Sequence, residues 1–306
     1  MSLASDPAAP AVERLRPPHL AETLRWLQRD PVLHVYVTAL TLRDSLGSPH
    51  DEAWAARRDG ALTALIHLGG RSGAVLPHGD DAEGLRQLAE VARARRAALP
   101  PRIQVIGPIA GVRAVVSALA ADGLTPRLER RQVYMKLEAR DLPDVERLPE
   151  LRPARPEDHA LLFETGAALR AEELEEDPRI ADPLTYARRV EEECRDGYTW
   201  LWPEGAGLRF RASISAATLD AAQVSGVYAP PDRRGKGFAT RALAELCRRL
   251  LERSRTVCLF VNDFNEPALT LYRRLGFRVI APWASAFYDP AAGVARTDRP
   301  AGALLS

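Results

Sequence analysis

The 306-residue chain is predicted to be an α/β protein built in two parts, each with a mixed sheet flanked by helices. Three observations predict this. A single core stops growing before a chain reaches this length, so two domains are expected. The order helices, strands, helix, strand, helix, strand runs through the sequence twice. Between the two runs lies Asp141-Leu-Pro-Asp-Val-Glu-Arg-Leu-Pro-Glu150, a stretch of prolines and mixed charge with the composition of a linker. The expected division is therefore 1–140, 150–290 and a tail over 291–306 that has no periodicity.

In the first half, apolar residues at near-helical spacing (Leu24, Leu27, Val35, Ala39, Leu42) predict helix over 20–46, broken at Asp30-Pro31. Extended runs at 54–56 and 62–66 flank Arg58-Asp59-Gly60, and Asp-Gly is a strong hairpin signal. A third strand is expected at 73–76, helix over 81–98, strand at 103–106, helix over 109–121 ending near Gly123, and a strand over 132–137 closing the half. The second half restarts with a short strand at 151–154. A helix begins at Pro156-Glu157-Asp158, where proline and acids suit a first turn. A helix over 184–195 is followed by strands at 198–202, 207–215 and 222–229. A long helix over 237–252, a strand at 256–261, a helix over 266–274 and a strand pair within 277–288 complete it.

Composition excludes several classes. Forty-two basic and 41 acidic side chains leave a net charge of +1, which offers no general attraction to nucleic acid or to an anionic membrane. No stretch approaches the roughly 20 apolar residues that span a bilayer. The first ten residues lack a basic start followed by an apolar run, so they do not read as a signal peptide; they read as a short disordered lead-in. Three widely spaced cysteines, Cys194, Cys247 and Cys258, form neither a disulfide framework nor a zinc site. Reduced thiols in a cytoplasmic compartment are expected, with Cys247 and Cys258 packed in the core. The six histidines are scattered and form no cluster.

The chemistry-bearing stretch runs from Val224 to Leu243. An apolar strand ends at Ala229, a proline turn follows, and Arg234-Gly235-Lys236-Gly237-Phe238-Ala239 opens the long helix. Glycines at 235 and 237 let the backbone turn tightly and approach a ligand. Free N–H groups and the positive dipole end suit an anion, and Arg233, Arg234 and Lys236 add charge. No Gly-Lys-Ser/Thr follows, so this is a pyrophosphate cradle without the nucleoside-triphosphate signature. A bare Gly-x-Gly is weak evidence, and its plain reading is a strand–turn–helix junction. Downstream, however, comes Asn265-Glu-Pro-Ala268-Leu-Thr-Leu-Tyr272-Arg-Arg-Leu-Gly276-Phe277.

Together the two stretches resemble the GNAT superfamily of acyl-CoA N-acyltransferases. The first matches its Arg/Gln-x-x-Gly-x-Gly/Ala phosphate loop, and the second its Asn-x-x-Ala-x-x-x-Tyr-x-x-x-Gly-Phe signature, over about residues 150–288. The layout of the whole chain resembles bacterial tandem GNAT proteins, with a degenerate N-terminal domain and a functional C-terminal one. The resemblance implies tandem GNAT-like domains, each with a mixed, mostly antiparallel sheet. It implies acetyl-CoA as co-substrate and no metal. Val227, Tyr228 and Ala229 would pair with the pantetheine amides. The backbone of Gly235, Lys236, Gly237, Phe238, Ala239 and Thr240, with Arg234 beside it, would hold the pyrophosphate. Asn265 would touch the pantetheine arm, and Tyr272 would protonate the departing thiolate. The plain alternative for Tyr272 is a half-buried helix tyrosine hydrogen-bonded at its tip.

The implied reaction is direct transfer, in which an amine attacks the thioester, a base takes its proton and an acid assists the thiolate. No carboxylate stands on the strands where many relatives place the base. Asp220 and Asp263 lie at strand ends, and the run Glu172, Glu173, Glu175, Glu176, Asp177 reads by default as a solvated helix face. In the N-terminal half the corresponding strand end, Gly73 to Asp81, carries Asp80 and Asp81 and no basic glycine loop, so that half is not expected to bind CoA. The expected acceptor is a small amine or a peptide or protein amino group. The alternatives are a mycothiol-synthase-like acetyltransferase, whose acceptor is a cysteinyl pseudo-disaccharide, and a non-catalytic CoA-binding sensor or scaffold.

Overall fold

The computed structural model describes residues 9–289. In chain order the elements are β1 (Ala11–Leu15), α1 (Leu20–Leu27), α2 (Val35–Asp44), β2 (Glu52–Arg58), β3 (Ala61–Leu68), β4 (Ala74–Gly79), α3 (Ala82–Ala94), β5 (Ile103–Pro108), α4 (Ile109–Ala120) and β6 (Leu128–Glu138). There follow β7 (Arg152–Pro153), α5 (His159–Leu174), α6 (Pro178–Ala181), α7 (Pro183–Asp196), β8 (Thr199–Glu204), β9 (Gly207–Ala217), β10 (Ala221–Tyr228), α8 (Phe238–Leu251), β11 (Thr256–Asn262), α9 (Glu266–Arg274) and β12 (Arg278–Tyr288). Most of the sequence-predicted elements are present within a few residues of their expected ends. Three differ. Ala11–Leu15 is an edge strand paired with β2. The expected pair at 277–288 is one strand. The predicted tail, 291–306, and most of the lead-in lie outside the described residues.

The described residues fall into two compact units. The first comprises 9–29, 40–131 and 282–289, and the second 30–39 and 132–281. In the first, β1, β2, β3 and β4 pair antiparallel in order, β4 pairs with β5 in parallel, and β5 pairs antiparallel with Trp283–Tyr288 of β12. In the second, β7, β8, β9 and β10 pair antiparallel in order, β10 pairs with β11 in parallel, and β11 pairs antiparallel with Gln132–Glu138 of β6. Each unit is thus mixed and mostly antiparallel, with its one parallel step at the same place. The strand over 132–137, read from sequence as closing the first half, is instead the sixth strand of the second unit. The first unit takes its sixth strand from the chain's C-terminal end. Alternating apolar residues fix which face a strand buries and say nothing of which sheet it joins.

Local sequence explains the corners. Asp59 and Gly60 have φ of +49° and +78°, as a two-residue hairpin turn of this hand requires. The first core gathers Ile66, Leu68, Val75, Val105 and Ala286 from the strands with Leu85, Leu88, Val115 and Leu119 from α3 and α4. The second gathers Leu137, Phe210, Val224, Val257 and Leu259 with Leu243, Leu246, Cys247, Leu269 and Tyr272 from α8 and α9. The 141–150 segment is tied to α8 through Glu245. That buried carboxylate accepts from Arg147, Arg248, Arg249 and the Leu148 N–H. Burial raises its pKa, but those hydrogen bonds outweigh burial and hold it below the usual carboxylate range. The three cysteines are free and buried. Among the described residues no helix is long and apolar enough to cross a membrane, and no group of His, Cys, Asp and Glu could hold a metal ion.

Candidate active site

The site begins where two parallel strands stop pairing. β10 and β11 pair over Ala221–Gln223 against Thr256–Cys258, and both then run on, to Tyr228 and Asn262, without further register between them. On its other side β10 shifts register with β9 twice, between Gln223 and Val224 and between Ser225 and Tyr228. Gly226 at φ +57° sits in the second shift. Such a bulge bends a strand away from its neighbour. The last paired residue is fixed from its side chain: Gln223 Nε2 donates to Ser215 Oγ at 2.9 Å, and Tyr134 Oη donates to Gln223 Oε1 at 2.9 Å. The result is a seam that opens toward Tyr228, with strand backbone on its wall. Val227 is partly buried against the core and Tyr228 is buried.

β10 leads into the glycine loop. Gly235 and Gly237 have φ of +72° and +80°, and Gly237 is the N-cap of α8, with no side chain capping the helix. A Cβ placed at either glycine would meet no atom within 4 Å. The protein's own packing therefore does not require glycine there; the backbone conformation does, and the space above the loop is open. The first turn of α8 contains no acid, so its N–H groups and dipole face that space unopposed.

The basic residues around the loop have separate roles. Arg234 Nε donates to the Ala229 carbonyl at 2.9 Å, its Nη2 reaches Glu172 at 2.7 and 2.9 Å, and its guanidinium lies over the Tyr228 ring at 5.5 Å. Arg233 pairs with Glu204 at 2.8 Å. Arg241 bonds to Glu146 and to the Arg147 carbonyl. Lys236 is exposed and makes no hydrogen bond or ion pair among the described residues. Phe238 packs edge-on against Trp202 at 5.4 Å, which seats the first turn of α8 on the core, and Ala239 and Thr240 continue that turn.

On α9, Asn265 is the N-cap, its side-chain oxygen accepting from the Ala268 N–H at 3.2 Å. Tyr272 is one of two buried residues of α9, 6% exposed, with its ring 5.8 Å from that of Phe277. Its hydroxyl has no hydrogen-bond partner among the described residues, unlike the tip-bonded tyrosine of the plain reading. Burial, with the Glu173 carboxylate nearby and Cys247, pushes its pKa well above the usual tyrosine value, so it stays protonated.

The acid run faces solvent, with none of its members buried, but its members have different partners. Glu172 holds Arg234, and Asp177 caps α6 through the Arg179 N–H at 2.9 Å. Glu173 stands apart. It stands in helical register with the buried Leu162, Gly166 and Leu169 of α5 but is itself exposed, and Leu169 lies against Gly226 of the β10 bulge. Its carboxylate keeps solvent access within a crowd of protein atoms. Burial, with Glu172 adding, pushes its pKa up to about 7, against the opposing pull of Arg170 and Arg211. The helical spacing 162, 166, 169, 173 carried this signal in the sequence, hidden by the neighbouring acids. Asp220 is remote: it precedes β10 at the end away from the loop and pairs with Arg255. A shallow groove at the C-terminal end of α8, lined by Leu142, Pro143, Arg248 and Leu251, is likewise away from these residues.

The first unit shows the same junction filled. Asp81 caps α3, accepting from the Gly84 N–H at 3.1 Å, Arg58 at 3.1 Å and Thr63 at 2.8 Å. Burial raises its pKa, but those bonds outweigh it and keep the carboxylate ionised. The helix N-terminus thus holds the chain's own anion. Beside it the strands are tight: a Cβ at Gly107 of β5 would meet the Pro77 carbonyl of β4 at 2.8 Å.

Residues 212–287, which span the open seam, the loop and α9, match the family model described as FR47-like protein. The solved structures share the whole layout. A GCN5-related N-acetyltransferase from Sphaerobacter thermophilus aligns over 94% of this chain and 98% of its own, with a TM-score of 0.58 at 16% identity. A tandem GNAT protein from the clavulanic acid biosynthesis pathway aligns over 93% and 100%, with a TM-score of 0.52 at 15% identity. The chain has the fold of these tandem GNAT structures, and its residues 212–287 match the FR47-like family model. A mycothiol acetyltransferase from Mycolicibacterium vanbaalenii is 27% identical over 256 residues, covering 77% of this chain and 82% of that protein. The chain is therefore similar to acetyltransferases in sequence as well as in fold.

Proposed function

We propose that the chain is an acetyl-CoA-dependent N-acetyltransferase with one cofactor site, in its C-terminal half. The observation that carries this is the pairing of an uncapped, acid-free helix N-terminus with open space over Gly235 and Gly237. An anion that approaches there meets backbone N–H groups and no side chain. Gly235 to Thr240 would hold the pyrophosphate, with Lys236 the cation left for it. Val227, Tyr228 and Ala229 would pair with the amides of the arm along the open seam, and the Asn265 amide would contact it. Acetyl-CoA supplies the thioester. The acceptor nitrogen bonds to the acetyl carbon as the carbon–sulfur bond breaks. The nitrogen's proton passes to Glu173, directly or through water, and Tyr272 gives its proton to the departing sulfur. The first unit is a degenerate copy that does not bind CoA, because Asp81 fills its helix N-terminus. Three free, buried thiols fit a cytoplasmic site of action.

Titration of the full chain with acetyl-CoA in a calorimeter is expected to give one site, and an amine panel is expected to release free CoA. Two sites, or binding without amine-dependent release, would reject the proposal, the second in favour of a sensor. The likeness to a mycothiol acetyltransferase favours a cysteinyl pseudo-disaccharide as the second acceptor class, and it belongs in the panel.

Tyr272→Phe is expected to lower kcat by about 10-fold and leave acetyl-CoA affinity unchanged. The variant loses only the proton needed in the transition state, and a thiolate needs less help than an alkoxide. A tyrosine used for packing predicts otherwise: a ring retained, turnover intact, and at most a small change in Tm. Measuring kcat, Kd and Tm on one preparation separates the two.

A further inference from the structure

Between Gly166 and Glu173, α5 carries a second charge without a hydrogen-bond or ion-pair partner among the described residues, the half-buried Arg170. Gly166, Arg170 and Glu173 stand at i, i+4 and i+7, one face of the helix. Arg170 makes no hydrogen bond and no ion pair with any described residue, and neither does Glu173. The two lie one turn apart, at a spacing where such a pair ordinarily meets, and they do not bond to each other.

The surroundings of Arg170 are already basic. Arg211, buried on β9, comes up beneath Gly166: a Cβ there would meet its Nη1 at 2.8 Å and the Tyr186 hydroxyl at 2.6 Å. Tyr186 Oη is spent on the Phe163 carbonyl at 2.7 Å. Arg211 donates to the Leu162 carbonyl at 3.3 Å and to Glu193 at 3.0 Å, and Arg189 of α7 lies 3.6 Å from that same Glu193. Arg211 and Arg189 thus both engage Glu193, which with Glu176 acts on Arg170 only at a distance. The Arg189 charge beside it, with burial second, pulls the Arg170 pKa down to about 9. A cation held against another cation, without a hydrogen bond, is costly unless an anion joins it.

We infer that Arg170 and Glu173 together recognise an acceptor that carries a carboxylate close to its amine, that is, a free amino acid. The guanidinium fork takes the carboxylate in two parallel hydrogen bonds, and Glu173 takes the ammonium and then its proton. Cβ atoms one helical turn apart are about 5–6 Å from each other, which suits ionic groups on a single carbon. Leu169, the residue before Arg170 and one helical turn before Glu173, lies against the β10 bulge, so this side of α5 borders the seam. The inference rests on the proposed acetyl transfer and names its acceptor class.

The test uses the full chain and acetyl-CoA, following CoA release. The acceptors are the 20 amino acids, their amides, the matching decarboxylated amines and O-phosphoethanolamine. The best acceptor is expected to be an amino acid, exceeding its own amide by about 10- to 100-fold in kcat/KM, as a lost charge-assisted pair implies. In Arg170→Met that ratio is expected to collapse toward one, with acetyl-CoA binding by calorimetry retained. Arg170→Lys is expected to restore part of it. Amides or plain amines used as well as amino acids would overturn the inference while leaving N-acetylation standing, and this arm needs no variant. Preference for O-phosphoethanolamine would overturn it in favour of phosphate. A ratio unchanged in Arg170→Met would remove Arg170 from the site. Transfer to no amine, despite acetyl-CoA binding, would defeat the proposed function itself and this inference with it.

Discussion

Replacing Glu173 by glutamine is expected to lower kcat by about 10²- to 10⁴-fold, the range for loss of a general base. Glutamine keeps the shape and a hydrogen-bonding tip but cannot take a proton. The pH profile makes the test specific. With a pKa raised to about 7, the Glu173 carboxyl is protonated and idle below that pH and ionised above it. Wild-type kcat is therefore expected to rise with pH through about 7 and then level off. In Glu173→Gln that limb is expected to vanish, leaving a low rate that follows only the acceptor's own amine. Acetyl-CoA affinity is expected to hold, because the residue lies on α5 and not on the glycine loop. A rate fallen by less than about 10-fold with the limb intact would assign the base elsewhere, to a water or to the acceptor itself.

How far the residues alone led to this arrangement varies along the chain. The glycine loop was fully legible, because positive φ and an uncapped helix start are local properties written in Gly235, Gly237 and the absence of Ser, Thr, Asp or Asn before Phe238. The same holds for the hairpin at Asp59-Gly60, whereas the aspartates at 80 and 81 read only as acids that would repel a pyrophosphate, and the capping of α3 by Asp81 came from the structure. The exchange of sixth strands was not legible. Gln132–Glu138 and Trp283–Tyr288 have the alternation of any half-buried strand, and their partners are set by contacts remote in sequence. Glu173 falls between these cases. Its helical register with Leu162, Gly166 and Leu169 was present, but four further acids within five residues made it look like solvated surface. Arg170 was obscured in the same way, since an unpaired guanidinium is visible only when every neighbour has been placed.

The two halves also set up the other large effect. One helix N-terminus holds a carboxylate of the chain itself, and the other is bare beneath open space. If the bare one receives the pyrophosphate, Gly237→Val should weaken acetyl-CoA binding on the order of 10²-fold, the equivalent of one or two charge-assisted hydrogen bonds. Two causes act in the same direction. A β-branched residue at φ +80° strains the N-cap and draws the first N–H groups out of line. Its methyl groups also occupy the space through which the phosphates come within bonding distance of the backbone. Arg241→Ala is the comparison. Arg241 is charged and near the loop, but it is already spent on Glu146 and the Arg147 carbonyl, so its loss should change the Kd by only a few-fold at low salt. Equal losses in the two variants would mean that the net positive charge attracts the ligand and that backbone approach is secondary. A loop that only supports the fold, with no ligand on it, predicts a lowered Tm in Gly237→Val with Kd unmoved. Calorimetric Kd values for both variants, taken at two salt concentrations and beside their melting curves, separate these outcomes, because attraction by charge weakens with salt whereas exclusion by a methyl group does not.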